Sequence, residues 1–328
     1  MGARAGYRGA GGQELAPAEV VDAGTYNSLV QIDVLDLEFQ GSPHVIASFL
    51  VHGPQGPVLI EPGPGSTLPT LLAGLEERGV RPGDVRDVLV THIHLDHAGS
   101  AGWWAQQGAR IFVHGIGAPH LVDPSKLLGS ATRIYGDRMD SLWGEVLPAP
   151  AERVVAVEDG KVLEVGGLEI TAVETPGHAW HHHVWVLGDI AFAGDAAGIL
   201  LPGNDWIDLP APPPEFDLPA WKTTLERLRG LGLSTLYRTH FGTGSDPQRE
   251  LAVFEQTLIQ GVEWVREMLE RQMDRDGMVR EFSRRMRARA RNLGVSDEDA
   301  LRYELSNPRS MSVDGIARYL RKGRERNP

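Results

Sequence analysis

The stretch Thr91-His92-Ile93-His94-Leu95-Asp96-His97 decides the fold of this chain. It follows an apolar run, 85–90, and precedes a run of small residues, 98–102, and this order predicts a strand, a tight loop and the start of a helix. Three imidazoles and one carboxylate in so short a span are good ligands for a borderline divalent ion such as Zn²⁺. His92 and His94 alternate along an extended segment, whereas Asp96 and His97 come after the bend. This division favours a pair of ions over one closed cage; a solvated histidine-rich turn is the alternative interpretation.

Length and composition limit the class of protein. A chain of 328 residues with 41% hydrophobic residues can form one large α/β domain, or one domain with an appendage. It contains no cysteine, so any metal must be held by histidine and carboxylate side chains. No apolar run is long enough to span a bilayer, and residues 1–12 lack the apolar core of a secretory signal. We therefore expect no membrane association and a cytoplasmic location.

The charge distribution bears on the choice of partner. The net charge is −12, and the acidic excess lies before Gly261, whereas the remaining residues are net basic. An acidic body repels a nucleic-acid backbone, so we expect a small-molecule substrate rather than a nucleic acid. A metal pair would invert the local charge, which keeps a nuclease or phosphodiesterase open as an alternative function.

The order of the elements predicts the architecture. Two strand-rich segments flank helical ones, and the chain beyond Asp246 is a series of amphipathic helical patterns. We predict an α+β protein in which two sheets pack face to face with helices outside, a four-layer αββα arrangement. The predicted divisions are a flexible N-terminal tail at 1–24, a catalytic domain at 25–246 and an all-helical C-terminal extension at 247–328. A homodimer through the extension is one expectation for its apolar face, and coverage of the chain's own body is the other.

Three further sites follow predicted strands. They are His178 in Thr175-Pro176-Gly177-His178, Asp195 after Ala193-Gly194, and His240 in Tyr237-Arg238-Thr239-His240. Each is weak alone, because a single histidine after a strand is more often a surface or core residue than a ligand.

Taken with the first loop, these sites resemble the metallo-β-lactamase-fold hydrolases, the superfamily that includes glyoxalase II, lactonases and RNase Z. The resemblance covers about 28–242. It implies that His92, His94 and His178 hold one metal. It implies in addition that Asp96, His97 and His240 hold a second, with Asp195 bridging the two. The expected cofactor is thus two divalent metal ions, Zn²⁺ by first choice, with iron or manganese as alternatives.

The ligand set predicts the chemistry. Two ions about 3.5–4 Å apart can share a water molecule and lower its pKa, which supplies a hydroxide nucleophile. Asp195 would fix the separation of the ions, and Asp96 would orient the hydroxide or carry its proton, so both carboxylates are candidate catalytic groups. The expected function is hydrolysis of a small ester, thioester, lactone or phosphoester. The same ligand set is open to two further interpretations, an iron-dependent, dioxygenase-like redox enzyme and a non-catalytic scaffold.

Several residues are predicted to support the centre or to bind substrate. Glu61 stands where many members of the superfamily have aspartate, and we expect it to orient a ligand. His181, His182 and His183 alternate in direction, so they cannot all bind one ion; His181 or His182 is expected beside His178 as a hydrogen-bond partner, or simply packed. Segment 115–150 is expected to line the substrate site as a lid or wall; the alternative interpretation is that its apolar residues only pack short helices. Candidate substrate contacts are His114, Arg133 and Tyr135, with His120 as a further candidate.

Overall fold

The described part of the chain contains two six-stranded mixed sheets. In this computed structural model, residues 30–326 are described, so the predicted N-terminal tail lies outside the described residues. Strands of the first sheet lie side by side in chain order: β1 (Ile32–Asp36), β2 (Ala47–Gly53), β3 (Gly56–Ile60), β4 (Asp87–Leu89), β5 (Arg110–His114) and β6 (Val154–Val157). Those of the second sheet also follow chain order: β7 (Val162–Val165), β8 (Leu168–Glu174), β9 (His183–Leu187), β10 (Ile190–Phe192), β11 (Thr235–Arg238) and β12 (Gly242–Gly244).

Alternation along the strands explains why the sheets stack. On β2, Phe49 and Val51 lie in the core shared with the second sheet, whereas Leu50 between them packs against the helices outside. On β3, Ile60 faces the second sheet and Leu59 faces outward. Since successive strand side chains point to opposite faces, strands that are apolar on both faces must be covered on both.

Helices supply the outer layers. Their bounds are α1 (Leu68–Glu76), α2 (Leu95–Ala98), α3 (Ala101–Gln106), α4 (Ala118–Val122), α5 (Ser125–Tyr135), α6 (Met139–Trp143), α7 (Leu218–Arg229), α8 (Pro247–Glu270), α9 (Arg275–Asn292), α10 (Asp297–Ser306) and α11 (Arg309–Arg326). Leu71 of α1 and Trp104 of α3 cover the first sheet, and Leu225 of α7 and Phe254 of α8 join the core of the second. The predicted four-layer fold with a helical C-terminal region is confirmed.

Local differences from the predicted elements have identifiable causes. Segment 115–150 shows no strong period in the sequence, yet it folds into the three short helices α4, α5 and α6. Helix α9 begins at Arg275 rather than near Val279, because the Asp274 side chain accepts a hydrogen bond from the amide of Gly277 and caps the helix. Strand β12 has no counterpart among the predicted strands, since Gly-Thr-Gly carries no strand signal.

The apolar face of the extension packs on the chain itself. Helix α8 contacts α7, α9 and α11, Met268 is fully buried, and the rings of Trp264 and Phe282 lie 6.2 Å apart edge to face. Packing on the chain's own helices therefore accounts for the apolar face of the extension. The homodimer and the domain boundary between residues 246 and 247 stay predictions. Between residues 30 and 326, no helix has both the length and the apolar character needed to cross a bilayer.

Candidate metal centre

The predicted ligands come from four loops that each follow a strand. His92, His94, Asp96 and His97 follow β4, and the other three follow β8, β10 and β11. Gly194 allows two of these loops to meet, because it has a positive φ of 48° and a Cβ there would lie 2.4 Å from the Thr91 hydroxyl oxygen. Any other residue at this position would separate the Asp195 loop from the first histidine loop.

Three ring nitrogens form the first ligand set. His94 Nδ1 lies 2.9 Å from His92 Nε2 and 2.9 Å from His178 Nε2. A tetrahedral zinc ion with bonds of about 2.0–2.1 Å separates neighbouring ligand atoms by about 3.3 Å. The three nitrogens therefore already surround a point that one such ion could occupy.

A second set lies beside the first. His240 Nε2 is 3.3 Å from Asp96 Oδ2, and His97 Nε2 is 3.8 Å from the same oxygen. Asp195 stands between the sets, since its Oδ2 lies 3.3 Å from His178 Nε2 and its Oδ1 lies 3.5 Å from His97 Nε2. All seven residues singled out in the sequence thus lie close together, with Asp195 between the two sets.

Unpartnered atoms test whether these residues suit metal ions. Among the described residues, His97 Nε2 and Asp195 Oδ1 are buried and have no hydrogen-bond partner in the protein. Leaving buried polar atoms unpaired costs free energy, which ligation would recover. Imidazole and carboxylate donors suit Zn²⁺, iron and manganese. The residues present therefore fit two divalent cations.

Hydrogen bonds on the side away from the centre orient three of the ligand rings, those of His178, His240 and His92. His178 Nδ1 donates to the Pro210 carbonyl at 2.9 Å, and His240 Nδ1 donates to the Val45 carbonyl at 2.8 Å. His92 Nδ1 lies 3.0 Å from the Thr91 hydroxyl oxygen, which can accept its proton. With each Nδ1 engaged in this way, Nε2 is the atom left to face the centre.

Glu61 connects the loop that begins at Thr91 with the loop that carries Thr239 and His240. It is fully buried, and its Oε1 accepts a hydrogen bond of 2.6 Å from the Thr91 amide. Its Oε2 accepts hydrogen bonds from the hydroxyls of Thr91 (3.0 Å) and Thr239 (2.9 Å), and from His97 Nδ1. Its position matches the supporting role expected from the sequence.

The three consecutive histidines separate in space. His182 Nε2 accepts a hydrogen bond from the Asp195 amide at 3.3 Å, and His182 Nδ1 lies 2.7 Å from the hydroxyl oxygen of Thr175, in the loop that carries His178. The ring of His178 itself is bonded to the Pro210 carbonyl and not to His182. The His181 Nε2 atom lies 3.2 Å from the Glu215 carboxylate. Alternation along the strand predicts the face on which each ring lies but not the loop that it meets.

Electrostatics favour cations at the centre. Burial lowers the pKa of His92 and His178 well below its usual range, so both stay neutral, the form that coordinates a metal. His97 differs: burial would lower its pKa, but nearby carboxylates, Glu61 foremost and then Asp96, raise it to about 10. Carboxylates that stabilise an imidazolium this strongly would also stabilise a divalent ion.

A cleft of about 300 Å³ opens over the ligands. Its sides come from one face of α5, from the proline-rich loop 210–215 and from the residues that join α10 to α11. Tyr135 and His120 line it, as expected. Burial and then the nearby Asp96 raise the pKa of Tyr135, so its phenol remains a hydrogen-bond donor.

Two expected substrate contacts lie elsewhere. Arg133 is an exposed residue of α5 and does not line the cleft. His114 is paired with Glu174 at 3.1 Å and lies close to His183. Its Nδ1 accepts the amide of Ile116 at 3.0 Å, so Nε2 carries the proton that it donates to Glu174. This tautomer presents no free nitrogen, so we assign neither a substrate contact nor a metal ligand there.

Several cleft residues carry no signal in the sequence. Lys126 of α5 and residues 306–308 and 311 of the extension line the cleft. Lys126 lies within the segment 115–150 but belongs to no motif. The residues of the extension lie some two hundred positions beyond the histidine loop, and only packing of the helices brings them to it.

Comparison with known proteins agrees with this geometry. The family model described as the Metallo-beta-lactamase superfamily matches residues 41–240. The metallo-beta-lactamase fold-containing protein ST1585 of Sulfurisphaera tokodaii is 29% identical over 144 residues, 43% of this chain and 54% of that protein. The atrochrysone carboxyl ACP thioesterase of Aspergillus fumigatus is 28% identical over 158 residues, 48% of this chain and 38% of that protein. The chain thus spans about half the length of the first relative and less of the second.

A solved structure shares the fold over nearly the whole chain. The metallo-beta-lactamase family protein TTHA1429 from Thermus thermophilus superposes with a TM-score of 0.64 and 22% identity, covering 90% of this chain and 93% of that one. The resemblance inferred from the sequence motifs is therefore confirmed. By the family match and the shared fold, this chain belongs to the metallo-β-lactamase superfamily.

Proposed function

We propose that the protein is a metal-dependent hydrolase that cleaves a small ester or thioester carrying an apolar acyl group. One observation carries the proposal: two ligand sets meet at Asp195, at the base of a cleft whose sides are largely apolar. The ligands make the base of the cleft reactive, and the apolar sides select the group that enters.

The ligand residues divide the work. Divalent ions bound here would supply Lewis acidity toward a carbonyl oxygen and lower the pKa of a water molecule toward neutrality. Asp195, between the two sets, would hold both at one separation. Asp96 lines the cleft as well as facing His97 and His240, so its carboxylate is placed to accept a proton from the nucleophile.

Other side chains would bind the substrate. The phenol of Tyr135 can donate a hydrogen bond to the carbonyl oxygen or to the leaving group. Lys126 supplies a cation for an anionic part of the leaving group. A thioester is our first choice of bond, because a relative of this chain is named a thioesterase and because an apolar cleft suits an acyl chain.

A substrate panel and metal analysis test the proposal. Purified protein loaded with Zn²⁺, Mn²⁺ or Fe²⁺ would be assayed on acyl thioesters, acyl esters, lactones and phosphodiesters. We expect the acyl thioesters to be hydrolysed fastest, and we expect His94→Ala to lose that activity. His52→Ala is a matched control, because His52 of β2 pairs with Asp33 and not with the centre.

Other outcomes would favour a different class of enzyme. Iron in the purified protein together with oxygen uptake would favour the dioxygenase-like enzyme. Fastest turnover of phosphodiesters or oligonucleotides, with a steep loss of binding at high salt, would favour the nuclease. Either result would overturn the thioester proposal.

A further inference from the structure

The C-terminal extension contributes one side of the cleft. Residues 306–311, which we call the α10–α11 junction, end α10 and begin α11. Met311, Asn307 and Pro308 of this junction line the cleft together with the metal ligands His94 and Asp195. A segment with no metal ligand of its own therefore reaches the edge of the reactive centre.

An apolar stripe of α5 forms the other side. Leu127, Ala131 and Ile134 stand at helical spacing and all line the cleft. Ile134 is 46% exposed, so much of its side chain is accessible to a ligand. Leu127 and Ala131 also contact the core of the first sheet, whereas Ile134 lies exposed at the cleft, so an apolar ligand would gain contact area there.

The junction and the adjacent Ser312 contact Asp208 and Leu209, the two residues directly before the proline-rich loop. Arg309 and Asp208 form an ion pair in which both side chains are buried. The Asn307 amide donates to the Leu209 carbonyl at 2.7 Å, and the Ser312 hydroxyl donates to the same carbonyl at 2.8 Å. A side of the cleft that is fixed at so many points can discriminate between ligands by size.

The same loop connects the junction to the metal centre. Pro210 follows Leu209 directly, and its carbonyl accepts the proton of His178 Nδ1 at 2.9 Å. Gly315 of α11 lies so near this loop that a Cβ would be 2.0 Å from the Ala211 carbonyl oxygen. The position of the extension is thus coupled to the orientation of a ligand.

We propose that the α10–α11 junction is the specificity-determining side of the cleft and that Met311 sets the length of the acyl group that fits against α5. Met311 is the one large flexible apolar side chain that the junction presents to the cleft, and it is partly exposed there. The proposal rests on the proposed hydrolysis of acyl compounds, and its test therefore includes binding as well as turnover.

Two variants of opposite size test the role of Met311. Met311→Ala should move the preferred acyl length upward by about two or more carbons, since it removes most of the side chain that would meet the end of the acyl group. Met311→Trp should shorten the preferred length and raise KM for longer chains with less effect on kcat. Met273→Ala is the matched control, because Met273 lies in the same extension, is partly buried and does not line the cleft. It should keep the wild-type profile.

The experiment uses the full-length metal-loaded protein with straight-chain acyl thioesters of increasing length. Binding of the corresponding straight-chain carboxylates is measured by calorimetry on the same proteins. The proposal is supported if both the turnover profile and the binding profile move to longer acyl groups in Met311→Ala and to shorter ones in Met311→Trp. An unchanged binding profile in both variants, or an equal shift in Met273→Ala, overturns it. If no thioester is hydrolysed but the binding profiles shift, the proposed reaction fails while the role of Met311 stands.

Discussion

Replacing Glu61 with glutamine tests whether the centre depends on a buried carboxylate that supports the ligands from behind. In the wild type this group accepts four hydrogen bonds, from the Thr91 amide, the Thr91 and Thr239 hydroxyls and His97 Nδ1. An amide keeps one acceptor oxygen and places an NH₂ group against donors at the other position. At least one buried donor then loses its partner.

The expected loss in the free energy of unfolding follows from the number of hydrogen bonds that Glu61 accepts. An unsatisfied buried donor costs about 1–3 kcal/mol, and a neutral acceptor is worth about 1 kcal/mol less than a charged one in each remaining bond. Relaxation of the two hydroxyls would recover part of this, so we expect Glu61→Gln to lower the free energy of unfolding by about 2–4 kcal/mol. Loss of the charged partner of His97 should weaken metal binding by about 10–100-fold.

The assays are urea unfolding of the metal-free protein and competition for Zn²⁺ with a chelator. Glu77→Gln is the control, because the Glu77 side chain is 78% exposed, and its unfolding free energy should change by no more than about 0.5 kcal/mol. Glu61→Asp should retain more metal affinity than Glu61→Gln, since it keeps the charge. Wild-type metal affinity in Glu61→Gln would refute the reasoning.

The other predictions concern the ligands, the extension and the substrate cleft. His94→Ala should lose measurable turnover while its circular dichroism spectrum stays that of the wild type, because His94 is only partly buried; retained turnover would contradict its place in the first ligand set. Arg309→Ala should lower the free energy of unfolding by about 3–5 kcal/mol, because it leaves the buried carboxylate of Asp208 without its ion-pair partner. The exposed pair Arg249–Asp205 is the control, and Arg249→Ala should cost less than about 1 kcal/mol in the same urea titration; equal losses would show that burial of the pair is unimportant. Tyr135→Phe should reduce kcat for acyl thioesters by about 10-fold and keep their binding, since it removes one hydrogen bond of about 1.4 kcal/mol; an unchanged kcat would exclude the phenol from the reaction.

The ligand set can be predicted from the sequence because its motifs are local and, taken together, resemble those of a known superfamily. Each group of ligands follows a short apolar strand, and glycine, proline or small residues mark the turn or helix start where the ligands lie. The ligands after β8, β10 and β11 meet because these strands end at one edge of the second sheet, and stacking of the two sheets brings the loop after β4 to the same edge. The same reasoning identifies Glu61, which follows β3 beside the strand that leads to His92.

Contacts that depend on packing cannot be predicted in this way. The sequence indicates that consecutive histidines before and at the start of β9 point to different sides, but not that His182 meets the amide of Asp195. Arg133 and His114 are chemically suitable for substrate binding, yet the register of α5 and the pairing with Glu174 direct them elsewhere. Met311 belongs to no motif, and it reaches the cleft only because α11 packs on α8 and α9.

Seven side chains are proposed to hold two divalent ions at the base of the cleft, and every functional proposal depends on this centre. Anomalous diffraction at the zinc edge, from crystals of the Zn²⁺-loaded protein, measures it directly. We expect two peaks about 3.5–4 Å apart, one among His92, His94 and His178 and the other among Asp96, His97 and His240, with Asp195 between them. A single peak, or peaks only outside these side chains, would contradict the proposed centre.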